Sequence, residues 1–162
     1  CLSLNKRNTK ALAYFILAGS KTTLSHQAQM HVPKDAKCPV CGMFVSKYPK
    51  WASSLKIKQE THYFDGIKDM MKFYIFDVDF PYNRKHIKAI NVTDFYTLES
   101  IDAKTAFYVI GSNVYGPMGN ELIAFSTRKA SENFKKEHLG KTILRFEAIT
   151  PTLVMGLDGI VY

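Results

Sequence analysis

Twice along this chain the apolar residues change period in the same order, and that repeated order limits the fold more than any other feature. Trp51 to Lys58 alternates as a strand does, and Thr61 to Asp65 is short and aromatic. Gly66 to Phe76 sets Ile67, Met70, Met71, Phe73 and Tyr74 at helical spacing, and His86 to Tyr96 returns to alternation. Ala106 to Ile110 and Glu121 to Phe125 then read as two strands. Arg128 to His138 reads as a helix with Ala130, Phe134 and His138 along one face, and Lys141 to Ile149 as a closing strand. Asp65 is placed to cap the first helix, Ser126-Thr127 to cap the second and Gly140 to stop it. Each half therefore reads strand, strand, helix, strand. The expectation is an α+β chain of two similar small ββαβ modules, residues 31–98 and 104–150, with 151–162 a tail of no strong signal. Either module alone is near the size at which a core becomes marginal, so the two should pack together.

The first thirty residues follow a different pattern. Lys6, Arg7 and Lys10 precede a short apolar run, Ala11 to Gly19, and small and polar residues follow. That order is the signature of a secretory signal peptide, and the run is too short to span a bilayer. The expectation is export, with residues 1–30 as the signal-like segment. Cys1 stands before the apolar run, where the lipid-bearing cysteine of a lipoprotein is not expected. The chain as a whole carries a net charge of +8, but no block of five or more basic residues occurs. Dispersed lysines make a solvated basic surface rather than a nucleic-acid groove.

Cys38-Pro39-Val40-Cys41-Gly42-Met43 is the sharpest chemical feature. It places three soft sulfur atoms in six residues, and thiolate with thioether favours Cu(I), with zinc as the competitor for thiolate. Three readings compete. A zinc knuckle needs a second ligand pair, and after Cys41 no cysteine follows, so His62 or His86 would have to serve. A redox CxxC would make the chain a thiol-disulfide oxidoreductase, but the strand that usually precedes such a motif is missing. The third reading is a sulfur-rich copper site. Gly116-Pro117-Met118-Gly119 supports it, since a methionine between Pro and Gly in a polar loop is presented rather than packed. If the modules are related, a site at their seam draws Cys41 and Met43 from one side and Met118 from the other, with Cys38, His62 and His86 as reserve donors. No close carboxylate pair, phosphate loop, dinucleotide fingerprint or GxSxG elbow points to an enzyme.

CPVCGM, THYFDGIKDMMKF and the long run from AFYVIGSNVYGPMG to LRFEAI together resemble the NosL-type accessory proteins of nitrous-oxide reductase, in order from about Cys38 to Ile149. The resemblance implies two ββαβ modules and a periplasmic, usually membrane-tethered Cu(I) chaperone without catalytic turnover. It implies delivery of copper to the cluster of nitrous-oxide reductase alongside an ABC-transporter assembly complex. The family's Cys-x-Met pair falls on Cys41 and Met43, and its GPMG methionine on Met118. One departure concerns the tether: members commonly carry a lipobox cysteine after the signal, and here only the motif cysteines follow the apolar run.

Overall fold

The computed structural model describes residues 28–159, so the signal-like segment up to residue 27 lies outside the described part. Strand β1 (Ser53–Ile57) turns back through Lys58 into β2 (Glu60–Phe64); α1 (Ile67–Ile75) follows, then β3 (Ile87–Thr93) and a short β4 (Ser100–Asp102). The second half runs β5 (Phe107–Ile110), β6 (Ile123–Phe125), α2 (Arg128–Glu137) and β7 (Thr142–Leu144), and ends in α3 (Pro151–Leu157).

All pairings are antiparallel, and the sheets have orders β2-β1-β3-β4 and β6-β5-β7. In each, the first strand of the module lies between its second and third. The repeat read from the sequence is thus a repeat of topology: two ββαβ units with the same strand order. They do pack together. One buried cluster mixes Leu55, Phe64, Met70, Met71 and Val92 of the first unit with Tyr108, Leu122, Ala124 and Phe146 of the second. Backbone contact joins them too, since Phe95 donates its N–H to the Ala124 carbonyl at 3.0 Å.

Helix α1 forms because its apolar residues recur at the helical period, and it buries Ile67, Met70, Met71 and Phe73. Each such side chain contributes ~1.5–3 kcal/mol of transfer free energy. Thr127 caps α2 as expected, its Oγ1 accepting from Ala130 N at 3.2 Å.

Four expectations are corrected. Asp65 does not cap α1; Gly66 is the N-cap residue with no side-chain cap, because the Asp65 carboxyl is engaged elsewhere. Gly140 does not supply the left-handed residue that ends α2; Leu139 does, at φ +55°, and Gly140 N–H reaches the Lys135 carbonyl. The closing strand is only Thr142–Leu144, because the alternation beyond it folds into a 3-10 turn, Phe146–Ala148, that buries Phe146. The tail from 151 is structured: Thr150 Oγ1 accepts from Leu153 N, Pro151 starts α3, and Val154 is fully buried. Among the described residues no helix is long and apolar enough to cross a membrane.

Candidate metal centre

Residues 37–44 fold back on themselves. Lys37 and Phe44 form an isolated antiparallel bridge, Cys38 N–H donates to the Met43 carbonyl at 2.9 Å, and Gly42 N–H donates to the Cys38 carbonyl at 2.8 Å. The reversal needs a left-handed residue, and Gly42 takes φ +78° without a Cβ to oppose it. In this knuckle the backbone N–H groups of Val40 and Cys41 point to the Cys38 sulfur, and that of Met43 points to the Cys41 sulfur. Amide dipoles converging on sulfur favour the thiolate that metals bind.

Burial opposes them. Cys38 is 1% exposed, and desolvation pushes its thiol up to about 11. Desolvation raises the Cys41 thiol as well, and the Asp65 carboxylate beside it adds to the rise. In the metal-free protein both sulfurs therefore carry protons. The Cys41 thiol donates to Asp65 Oδ1 at 3.1 Å, and the Cys38 thiol approaches Asp69 Oδ2 at 3.6 Å. One ligand atom from each of Cys38, Cys41, Asp65 and Asp69 lies within 4.8 Å of every other. Both cysteines are free.

The start of α1 carries this group. Asp65, just before the N-cap Gly66, and Asp69, in the first turn of the helix, are both almost wholly buried. Between them in sequence stands Lys68, also in the first turn of the helix. It is 1% exposed, and its Nζ donates to the Met118 carbonyl at 2.8 Å and pairs with Asp158 Oδ1 at 2.8 Å. Lys72 completes a charge network, 2.6 Å from Asp158 Oδ2 and 3.3 Å from Asp69 Oδ1. Burial works against its charge, but Asp158 and Asp69 outweigh that and hold the ammonium above the ordinary lysine value. Burial likewise works against the Asp158 carboxylate, and Lys68 and Lys72 outweigh it, so that carboxyl is held low.

Glu121 welds the methionine turn to the same place. Its Oε1 accepts from Lys68 N at 2.6 Å and from Leu122 N at 2.9 Å. Its carboxylate lies so close to Gly66 that any Cβ there would overlap it. Desolvation pushes the Glu121 carboxyl up to about 8. The turn is tight, with Gly116 and Gly119 exchanging both backbone hydrogen bonds and Pro117 at the favoured corner. Met118 sits at its tip, 46% exposed.

The six residues singled out in the sequence therefore divide. Cys38 and Cys41 come together, with Met43 half-buried beside them in the knuckle. The Met118 backbone is held over α1 at Lys68, between Asp65 and Asp69 in sequence. His62 and His86 do not join the group. His62 packs its ring on Phe73 at 5.2 Å, and His86 sits in a 3-10 turn whose carbonyl accepts from Lys58 N. The sequence reading missed Asp65, Asp69, Lys68, Glu121 and Asp158. No local pattern marked the two acids as a pair, because Asp65 precedes the extended N-cap Gly66 and stands outside the helix that carries Asp69.

The fold and this donor group define a small α+β protein with a thiol and carboxylate cluster at the start of its first helix, a set of atoms close enough together to be candidate metal ligands. The NosL family model matches residues 29–154, and the chain belongs to the NosL family. It is 27% identical over 126 residues to the copper-binding lipoprotein NosL of Stutzerimonas stutzeri, an alignment covering 73% of this chain and 64% of that protein. The chain thus spans just under two thirds of that relative's length. The crystal structure of the copper chaperone NosL from Shewanella denitrificans superimposes with a TM-score of 0.65 at 27% identity, covering 78% of this chain and 97% of that one. These relatives are named as binding proteins and chaperones, not as enzymes.

Proposed function

We propose that the protein binds and hands on Cu(I), using Cys41, Met43 and Met118 as its sulfur ligands. The observation that carries the reading is the convergence at α1: the cysteine knuckle meets Asp65 at one side of the helix start, and the Met118 turn is tied to Lys68 on the next turn of chain. A thiolate with two neutral thioethers is a soft donor set suited to a monovalent copper ion. The thioether at an exposed turn tip leaves an open side, through which an acceptor's ligand can attack and draw the ion away. The copper is cargo, and no bond of a substrate is made or broken.

The family resemblance supports a finer reading: residence in the periplasm with a membrane tether, and delivery to the assembling cluster of nitrous-oxide reductase through its ABC-transporter complex. Recognition of that machinery involves no nucleic acid. The rival reading as a thiol-disulfide oxidoreductase fits less well. Attack needs an accessible thiolate, whereas Cys38 is buried and neither cysteine starts a helix.

The test is an anaerobic Cu(I) titration against a competing chelator. The reduced protein should take up one equivalent, Cys41→Ser should lose most of the affinity, and Met118→Ala should lose less because it removes a neutral ligand. Undiminished binding by Cys41→Ser removes that thiolate from the site.

A further inference from the structure

We propose that the outer face of the cysteine knuckle, built on Phe44, Lys37 and Lys47, is a docking surface for an acidic protein segment that carries an apolar side chain among its carboxylates. It rests on the proposed function in one respect, that the partner docking there is the acceptor of the copper.

Phe44 directly follows Met43 and is 39% exposed, one of the few large apolar side chains that the fold leaves on its surface. An antiparallel bridge pairs Lys37 with Phe44 across the knuckle, which sets their side chains on one face. The Lys37 and Lys47 ammonium groups lie over the Phe44 ring, 5.0 and 5.5 Å from its centroid. Ser46 Oγ donates to the Lys34 carbonyl at 3.0 Å, which keeps Lys34 alongside the same stretch. From residue 28 to residue 50 the chain carries Lys34, Lys37, Lys47 and Lys50, all exposed, against the single acid Asp35. Lys50 turns away to the Phe95 ring, 3.8 Å from its centroid. Among the described residues none of these four lysines is in an ion pair. Lysines scattered in the sequence are thus gathered around one exposed ring beside the knuckle.

What this face recognises follows from its charge. Exposed ammonium groups without carboxylate partners attract carboxylates and steer their approach, and salt screens that pull. A cation over an exposed ring gains little. The lysines therefore turn readily to a partner's carboxylates, and the partner's apolar side chain covers the ring. One ring and three lysines make a small contact, suited to an encounter that ends once the metal has passed. A second copy of the chain is the wrong occupant, since it brings the same positive face and a net charge of +8. A lipid surface laid on Phe44 would cover the knuckle that an acceptor has to reach. An acidic protein segment satisfies the lysines and brings its own sulfur donors up to Cys41 and Met43. Transfer then exchanges copper–sulfur bonds to this chain for copper–sulfur bonds to the acceptor, and no electron moves.

The experiment uses the reduced full chain and three synthetic acceptor peptides that share the same methionines and leucine and differ only in glutamate, serine or lysine flanks. Stopped-flow transfer of Cu(I) and fluorescence anisotropy of each labelled peptide on the metal-free chain are both read across ionic strength. Transfer to the glutamate peptide should be at least about tenfold faster than to the serine peptide at low salt, and the two should converge at high salt. Lys37→Glu with Lys47→Glu should abolish that advantage, and Lys37→Gln with Lys47→Gln should reduce it, both leaving Cu(I) affinity against a chelator unchanged. Phe44→Ala should weaken the glutamate and serine peptides by the same factor at every salt concentration. Equal behaviour of the three peptides, or a glutamate advantage that survives in both lysine pairs, overturns the proposal. So does binding of the chain to phosphatidylglycerol-containing vesicles through the same lysines with no preference for the glutamate peptide, which assigns the face to a membrane. A chain that takes up no Cu(I) sinks the copper reading alone, because anisotropy on the metal-free chain still decides the docking surface.

Discussion

Replacing Lys68 with methionine tests how the methionine turn is tied to the first helix. The substitution keeps the apolar stem and removes the ammonium, so it deletes the 2.8 Å bond to the Met118 carbonyl and the 2.8 Å pair with Asp158. A hydrogen bond from a charged donor is worth ~1.5–3 kcal/mol. Breaking a fully buried ion pair costs ~3–5 kcal/mol, but most of that does not apply here. Asp158 is 24% exposed in its side chain and keeps Lys72 at 2.6 Å, so its share falls to roughly 1 kcal/mol. Losing the desolvation cost of a buried ammonium offsets part of the total. The net expectation is a loss of about 2–3 kcal/mol. For a chain of this size that corresponds to a fall in Tm of about 4–12 °C. Thermal unfolding by circular dichroism measures it, with Lys72→Met, a more exposed partner in the same network, showing a smaller fall. The Lys68→Met and Asp158→Asn losses should also be non-additive in a double-mutant cycle. A Tm for Lys68→Met within about 2 °C of wild type, below the stated range, refutes the reasoning.

Glu121 gives stability a particular pH dependence. Its folded carboxyl, raised to about 8 from 4.5, holds its proton more tightly than the unfolded chain does. The contribution is therefore full below pH 4.5 and is lost as pH rises towards 8. Urea unfolding across that window should show the decline, and Glu121→Gln should flatten it; a wild-type slope in the variant counts against the assignment. Tyr108→Phe strands the Ala103 carbonyl, which accepts the buried hydroxyl at 2.6 Å, and should cost ~1–2 kcal/mol in the same assay. Leu139→Gly should stabilise the protein by up to ~1 kcal/mol, because a 74% exposed leucine there holds a left-handed backbone. Destabilisation would mean that its side chain packs after all.

Periodicity carries information about elements that bury a face, and for those the chain was readable. The period-2 run at β1 and the helical spacing through Met70, Met71 and Phe73 each appear where the apolar pattern puts them. Short elements held by tertiary contact left fainter signs. Strand β4 is three residues long, and α3 is only seven, although the Thr150-Pro151 pair that caps and starts it stands plainly in the sequence. The stop of α2 was misplaced because a glycine beside the true left-handed position drew the assignment, while Gly140 is needed for close approach to Val109. At the centre, the knuckle was legible because cysteine spacing and Gly42 are local. Asp65 and Asp69 were not, since their role depends on α1 being set against the knuckle from 24 to 31 residues away in sequence. Lys68 was least legible, because its partners lie 50 residues on, at Met118, and at Asp158, the C-cap residue of α3.

X-ray absorption on the Cu(I)-loaded chain tests the copper-handling reading most directly. The account predicts a low-coordinate shell of sulfur alone, built from Cys41, Met43 and Met118, that loses one sulfur in Met118→Ala and keeps its thiolate. A shell containing oxygen or nitrogen donors, or one unchanged by Met118→Ala, would contradict it.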